Sequence, residues 1–334
     1  MWIRWHTLNF LTNGTLAKPR RRRLSRFDLD TRKHNLIRLA GPLLATVCLT
    51  FYLGQIGLAQ TLDSSDQQTD DSSLSGESMA TYVLKQLNER EQAAYARYEK
   101  ALAREDVHSV QTELQSIVDG YERLINASPE YAAAYVSYGL MLHRIGERIT
   151  SNAILARADE LDPYHAIVKN QLGNYQAEEG NYLEAMAFYN MAIDLRPEEP
   201  LYHYQMGNLL FAYKKFFIDD KLFLPDGIDL EIQKKFREAA MLAPAHLPYR
   251  LRYAQSFFDV SRPNWEAALE EWQQLVDFVE SPEEKQMMQL YMARTRFLMG
   301  HHTAARKIIK KIDEPSLEHS RQLLLDEIDA KHPR

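Results

Sequence analysis

A unit of 34 residues recurs along this chain of 334 residues, and a fixed period limits the possible folds more than any other feature of the sequence. Three prolines and three glycines recur with this spacing: Pro129, Pro163 and Pro197, and Gly139, Gly173 and Gly207. An irregular helical bundle would not place small residues in register with prolines. The shared register therefore predicts a stacked array of similar units.

The clearest unit lies between residues 163 and 197. Its apolar spacing predicts two helices, Ala166–Glu178 and Tyr182–Leu195. A short turn that contains Gly180 separates them, and Pro197 ends the second helix because proline cannot continue a helix. The unit is therefore predicted to be a helical hairpin.

The two predicted helices of this unit carry both small and large side chains at the positions where they would pack against each other. Gly173 in the first helix and Ala185 and Ala192 in the second are small enough to let the backbones approach. Leu172 and Tyr189 would fill the remaining space. This pattern resembles the tetratricopeptide repeat (TPR) family.

The resemblance covers residues 79–331, with a degenerate first hairpin over Met79–Asn126 and a second unit over 132–165. It implies an all-α fold, a right-handed α-solenoid of TPR-like helical hairpins with a C-terminal capping helix. The last helix, Ser316–Ala330, has the half-polar pattern expected of a cap that closes an otherwise exposed end.

The fourth unit is longer than the others, since Pro197 and Pro244 are 47 residues apart. We place about 13 extra residues within 213–229 by comparison with the 34-residue period. This segment is too apolar for a solvated loop, with Phe216, Phe217, Leu222, Phe223 and Leu224. One interpretation is a longer helix followed by a loop folded onto the solenoid; the other is a partner-binding or dimerising element.

The N-terminal residues predict an export signal or a membrane anchor. Residues 1–35 contain the run Arg20–Arg23 without apolar periodicity, which predicts a disordered basic leader. Within 36–59, the stretch Leu39–Ala59 has no charged residue and would span about 31 Å as a helix, enough to cross a membrane. Small residues before Gln60 favour a cleaved signal peptide, and retention would give a single transmembrane anchor.

Residues 60–78 are rich in Ser, Asp and Gln, which predicts a flexible polar linker. With the basic leader on the cytoplasmic side, the solenoid would lie on the non-cytoplasmic side. The expected localisation is therefore periplasmic or secreted, or anchored to the membrane by one span if residues 36–59 are uncleaved.

Charge and composition argue against several function classes. Residues 1–38 hold ten of the 40 Lys and Arg residues and two of the 46 Asp and Glu residues, which leaves a remainder with a formal charge of −14. An acidic body disfavours nucleic acid as a partner, including RNA. Cys48 is the only cysteine, and the sequence has no zinc-protease, phosphate-loop or serine-hydrolase motif. We therefore predict no enzymatic activity, no cofactor and no metal site.

The candidate binding residues lie on the first helices of the later units. In TPR arrays the first helices line the concave face, so the resemblance implies a ladder of amides beside phenylalanine pockets there. The alternative is that the phenylalanines pack between units and the amides are merely solvated. The predicted partner-binding set is Asn170, Asn174, Tyr204, Asn208, Phe211, Gln255, Phe258, Arg294 and Phe297.

These observations predict a scaffold that binds a protein or peptide in its concave groove, at or across the membrane, in complex assembly. The alternative is a regulatory subunit, or a cryptic envelope hydrolase that uses the 213–229 insertion.

Overall fold

A computed structural model of the chain describes residues 74–102 and 108–331, and these residues form 14 α-helices and no strand. The predictions for residues 1–35, 36–59 and most of the 60–78 linker lie outside this range. In chain order the helices are α1 Leu74–Leu102, α2 His108–Ala127, α3 Ala132–Arg144, α4 Arg148–Leu161, α5 Ala166–Glu178, α6 Tyr182–Leu195, α7 Pro200–Ala212, α8 Lys214–Asp219, α9 Pro225–Leu242, α10 Leu247–Ser256, α11 Trp265–Phe278, α12 Pro282–Leu298, α13 His302–Ile309 and α14 Glu318–Lys331.

The helices pair into hairpins, and successive hairpins stack. We number the units one (α1, α2), two (α3, α4), three (α5, α6), four (α7 to α9), five (α10, α11) and six (α12, α13), followed by α14. The prediction of an all-α solenoid is confirmed, and α5 and α6 have the predicted bounds. Helix α1 begins at Leu74, inside the segment predicted to be a linker. None of the described helices is long and apolar enough to cross a membrane.

In three units a glycine of the first helix faces a large side chain of the second. A Cβ added at Gly139 would lie 2.6 Å from the Leu155 side chain, one at Gly173 2.7 Å from Tyr189, and one at Gly207 2.7 Å from Phe236. Such distances are too short for a methyl group, so only glycine permits this approach. Units five and six have fully buried alanines, Ala254 and Ala293, at the matching positions. The small residues that recur in the sequence therefore mark the positions where the two helices of each unit pack closely together.

The turns inside the hairpins rely on glycine in the left-handed region. Gly146, Gly180 and Gly300 have φ values of 89°, 82° and 82°. At the end of α5 the N–H of Asn181 donates to the carbonyl oxygen of Gln176 at 2.8 Å. This bond satisfies a carbonyl that the helix end leaves open, and it reverses the chain within a few residues.

The inserted segment is not the longer helix with a following loop that the sequence suggested. Helix α7 ends at Ala212, α8 is a separate short helix, and α9 begins at Pro225, a residue that suits the first position of a helix. Phe217 is fully buried, whereas Leu222 and Leu224 are 49% and 79% exposed. The insertion is therefore part of unit four, with its apolar residues divided between core and surface.

A charged cluster joins the insertion to unit five. Lys214 forms an ion pair with Asp229 and donates to the carbonyl oxygen of Asp259 at 3.2 Å. The N–H of Ser261 donates to Asp229 Oδ2 at 2.7 Å, and Arg252 donates to Asp259 Oδ2 at 2.8 Å. Because Asp229 is only 5% exposed, this cluster ties the two units through a largely buried contact.

A second polar cluster joins units one and two. The buried carboxylate of Glu91 accepts hydrogen bonds from the Tyr121 hydroxyl at 2.8 Å and from Arg144 Nη1 at 2.9 Å. The Arg144 guanidinium also lies 4.6 Å from the centre of the Tyr95 ring. Burial raises the pKa of Glu91, while Arg144 and the Tyr121 hydrogen bond partly oppose that shift.

Candidate functional site

The first helices of units three to six lie beside one another. The Tyr213 hydroxyl after α7 donates to the carbonyl oxygen of Ala177 in α5 at 2.6 Å. Between α7 and α10 the rings of Tyr204 and Tyr249 are 5.0 Å apart. We call the side chains along these helices the first-helix strip, defined by Asn174, Tyr204, Asn208, Phe211, Gln255, Phe258 and Arg294.

Neither asparagine of α5 presents an open amide along the first helices. Asn170 is fully buried, so a partner cannot reach it, and neither of its amide atoms has a hydrogen-bond partner among the described residues. The Asn174 amide accepts a hydrogen bond from the Tyr189 hydroxyl at 2.7 Å and donates to Gln171 Oε1 at 3.0 Å. The predicted amide ladder is therefore interrupted in unit three, because Asn170 is buried and the Asn174 amide is already bonded to Tyr189 and Gln171.

The middle of the strip lies on α7 and is more accessible. Asn208 forms a hydrogen bond with Tyr204, whose pKa is raised by burial and lowered in part by that bond and by Arg252. Phe211 is 43% exposed, and the Arg252 guanidinium lies 4.8 Å from the centre of its ring. The sequence prediction did not include Arg252, although it lies on α10 three residues before Gln255 and therefore on the same side of that helix.

The C-terminal part of the strip gathers around Tyr291 of α12, a second residue that the prediction missed. The Gln255 amide lies 3.4 Å from the Tyr291 hydroxyl, and the Phe258 ring is 6.1 Å from the Tyr291 ring. The Arg294 guanidinium lies 5.4 Å from the centre of the Phe258 ring. Burial lowers the pKa of Arg294, and Glu327 and Tyr291 oppose that shift. The predicted residues Gln255, Phe258 and Arg294 are therefore brought together.

Phe297 lies apart from this group, in the core under the C-terminal helix. It is only 4% exposed, its ring is 5.4 Å from that of His302, and Lys331 Nζ lies 5.0 Å from its centre. Phe297 was predicted to line a pocket for a partner, with packing between units as the alternative. The structure supports packing at this position, because residues of α13 and α14 cover the ring.

The repeated hairpin, its 34-residue period and the glycine-to-large contact in each clear unit define an all-α solenoid of TPR type. The chain is a helical-repeat protein in which the first helices of units three to six lie beside one another.

No family model matches the chain, and no curated protein matches its sequence. Among solved structures the chain is similar to YrrB, described as a TPR protein with an unusual peptide-binding site, at 15% identity over 61% of this chain and 99% of that one, with a TM-score of 0.49. It is also similar to PilF of Pseudomonas aeruginosa, at 15% identity over 73% of this chain and 99% of that one, with a TM-score of 0.47. A tetratricopeptide repeat protein from Parabacteroides merdae is similar at 15% identity over 73% of this chain and 87% of that one, with a TM-score of 0.44. The class assignment rests on the chain's own repeat geometry.

Proposed function

We propose that this chain is a non-enzymatic scaffold that binds an extended segment of a protein partner along the concave, first-helix side of the solenoid, in complex assembly at or across a membrane. The observation that carries the proposal is the exposed Phe211 ring, which lies on a first helix beside Asn208 and Arg252. An aromatic side chain left 43% exposed costs hydration free energy that a partner's apolar side chain would recover.

The chemistry around Phe211 suits a peptide backbone. An amide such as Asn208 offers both a donor and an acceptor, which are the groups that an extended peptide needs for pairing. Asn208 and Gln255 are both only partly buried, so their remaining hydrogen-bonding capacity is accessible. The binding site proposed here is therefore narrower than the sequence prediction and is centred on α7 and α10.

The chain contains a matched control for Phe211. Phe278 is 40% exposed and lies under Arg250 at 4.5 Å, much as Phe211 lies under Arg252, but Phe278 belongs to a second helix. We expect Phe211→Ala to weaken partner binding by about tenfold or more, since truncating an aromatic anchor removes about 1.4 kcal/mol or more of binding free energy. Phe278→Ala should leave it unchanged.

Crosslinking and affinity capture of full-length wild type and the two variants, with quantitative mass spectrometry, measures this difference. A partner that is retained by wild type and Phe278→Ala and depleted by Phe211→Ala supports the proposal. Equal depletion by both variants, or by neither, would contradict it.

The membrane part of the proposal rests on residues 36–59, which lie outside the described structure. N-terminal sequencing of the protein recovered from cells should begin at Gln60 if the segment is a cleaved signal. An intact segment that fractionates with membranes would assign the anchored form, and an intact chain in the cytosolic fraction would remove the membrane from the proposal.

A further inference from the structure

A groove of about 270 Å³ opens between α11, α12 and α13, on helices that do not form the middle of the first-helix strip. Two of its three helices are second helices, and none of its lining residues belongs to the first-helix strip. Its floor is apolar: Met292 is buried, and Val276 and Ile308 are partly buried against the core. These three side chains come from three different helices, so the floor exists only in the stacked solenoid.

Two lysines line the groove above this floor. Lys307 and Lys311 are both exposed, and neither forms an ion pair among the described residues. Lys307 lies in the last turn of α13, and Lys311 lies in the turn two residues after the helix ends; both side chains line the same groove. Lys310, between them, is also exposed and has no ion pair within the same range. This positive edge is notable on a body whose formal charge, outside residues 1–38, is −14.

The dimensions of the groove favour side chains over a whole small molecule. Sites for organic ligands usually enclose about 300–1,000 Å³, and this groove is smaller and open. Gln273 and Gln289 also line it; Gln273 Nε2 donates to Asp277 Oδ1 at 3.2 Å, and both side chains add an amide oxygen beside the apolar floor and the lysines. The combination suits a segment of polypeptide that places an aliphatic side chain on the floor and carboxylates beside the lysines.

We propose that this groove is a second binding site, for an acidic segment of a protein partner with at least one aliphatic residue. The site is separate from the first-helix strip, and its occupation does not depend on the function proposed for that strip. Charge complementarity selects the occupant, because exposed lysine ammonium groups attract carboxylates and form stronger hydrogen bonds with them than with neutral acceptors.

A structural role for the same lysines would have a different consequence. Cationic side chains near a helix C-terminus interact favourably with the helix dipole; Lys307 lies in the last turn of α13, and Lys311 follows two residues after its end. If that were their whole role, charge reversal would lower the melting temperature and no acidic peptide would bind.

Fluorescence anisotropy with labelled decapeptides tests the proposal on the full-length chain in a non-ionic detergent. The probes are glutamate-rich peptides that contain two leucines at varied spacing, each with a counterpart in which lysine replaces glutamate. We expect the acidic peptides alone to bind, with affinity falling about tenfold or more between about 50 mM and about 500 mM NaCl, because salt screens exposed charges.

Variants locate the binding. Lys307→Glu with Lys311→Glu should weaken binding about tenfold or more, and Ile308→Gln should weaken it through the floor. The matched control, Lys221→Glu with Lys234→Glu, makes the same change of charge at exposed positions on unit four and should bind as wild type does. Phe211→Ala should also bind normally, which separates this site from the first-helix strip.

Several results would overturn the proposal. These are no binding of any acidic peptide by wild type, equal weakening in the control pair, or loss of binding in Phe211→Ala with none in the Lys307 and Lys311 variant. Binding to phosphatidylserine vesicles in place of the peptides would assign the positive edge to a lipid surface and would also reject a peptide site.

Discussion

Gly173 lies at a close contact between the two helices of unit three. A Cβ at this position would lie 2.7 Å from the Tyr189 ring and 3.4 Å from the carbonyl oxygen of Ala185. Replacement by alanine gains about 0.5–1 kcal/mol of helix preference, but overpacking a tight interface costs about 1–3 kcal/mol. We expect Gly173→Ala to lower the free energy of unfolding by about 1–2 kcal/mol, measured by urea denaturation.

Gly227 in the first turn of α9 supplies the control, because an added Cβ there would meet nothing within 4 Å. Gly227→Ala should be neutral or stabilise the protein by up to about 1 kcal/mol. Equal effects of the two substitutions would show that the close approach at Gly173 does not limit packing.

Glu91 provides a prediction about pH. Burial raises its pKa in the folded state above the ordinary value of 4.5, so its contribution to stability is present below that value and is lost as pH rises through the folded pKa. Glu91→Gln keeps an acceptor for Tyr121 and cannot ionise. We therefore expect the variant to gain stability relative to wild type as the pH rises above 4.5. Urea denaturation at several pH values measures the difference, and a relative loss would show that the Arg144 ion pair outweighs burial.

Residue-level detail was the least predictable part of the candidate site. The sequence placed Asn174 in a ladder for a partner, but the Tyr189 hydroxyl, 15 residues later on the next helix, donates to it. That bond depends on how α5 and α6 pack, and no local pattern encodes it. Asn170 and Phe297 were also predicted to bind a partner, but both are buried in the structure. Helical periodicity alone does not distinguish an open helix face from one that a neighbouring helix covers.

Individual helices were more predictable than contacts between them. The bounds of α5 and α6 follow from local signals, the turn at Gly180 and the stop at Pro197, and the structure has the same bounds. Helix α8 was not predicted, because its six residues are too few for a helical period to be recognised. The sequence did not predict that α9 begins as early as Pro225. The first residues of this helix belong to the insertion, so the other 34-residue units have no equivalent residues to compare.

The element-level prediction concerns the junction of the insertion with unit five. Asp229→Ala removes the buried partner of Lys214 and the acceptor of the Ser261 N–H. Breaking a largely buried pair of this kind leaves a cation without its counter-charge, so we expect a loss of about 2–4 kcal/mol in the free energy of unfolding.

Asp226 is the matched control on the same helix. Its ion pair with Arg262, at 3.2 Å, joins side chains that are 55% and 84% exposed. Exposed pairs contribute about 0–1 kcal/mol, so Asp226→Ala should have little effect. If both aspartates behave alike in urea denaturation, the insertion is not held by the Asp229 cluster.

At the scale of the whole molecule, α14 closes the stack. Leu324 and Ile328 of this helix are buried and belong to one core cluster with Trp272, Met288 and Ile309. A chain that ends at Asp313 would expose the apolar face of unit six, and end units with an apolar outer face are poorly soluble. We expect this variant to bind a hydrophobic dye and to unfold at lower urea concentration, whereas a chain that ends at Lys331 should behave as wild type.

The truncation also separates two kinds of stability. If the units depend mainly on their neighbours, loss of α14 should weaken unit six first and leave the helical signal of units two to four in place at low urea. A single transition that shifts as a whole would show that the array unfolds as one body.

The Glu91 cluster has a mechanical consequence. A pull applied between the N-terminal end of the array and a segment held on α7 would pass through the junctions of units one to four in series. Elements in series all carry the same tension, so the weakest junction yields first and the others lengthen little until it has opened. The ion pair of Arg144 with Glu91 crosses the junction of units one and two, and the Tyr121 hydroxyl holds the Glu91 carboxylate in place within unit one. This polar contact must break before the apolar surfaces of the two units separate. Under load such a junction would be brittle, giving way over a short extension.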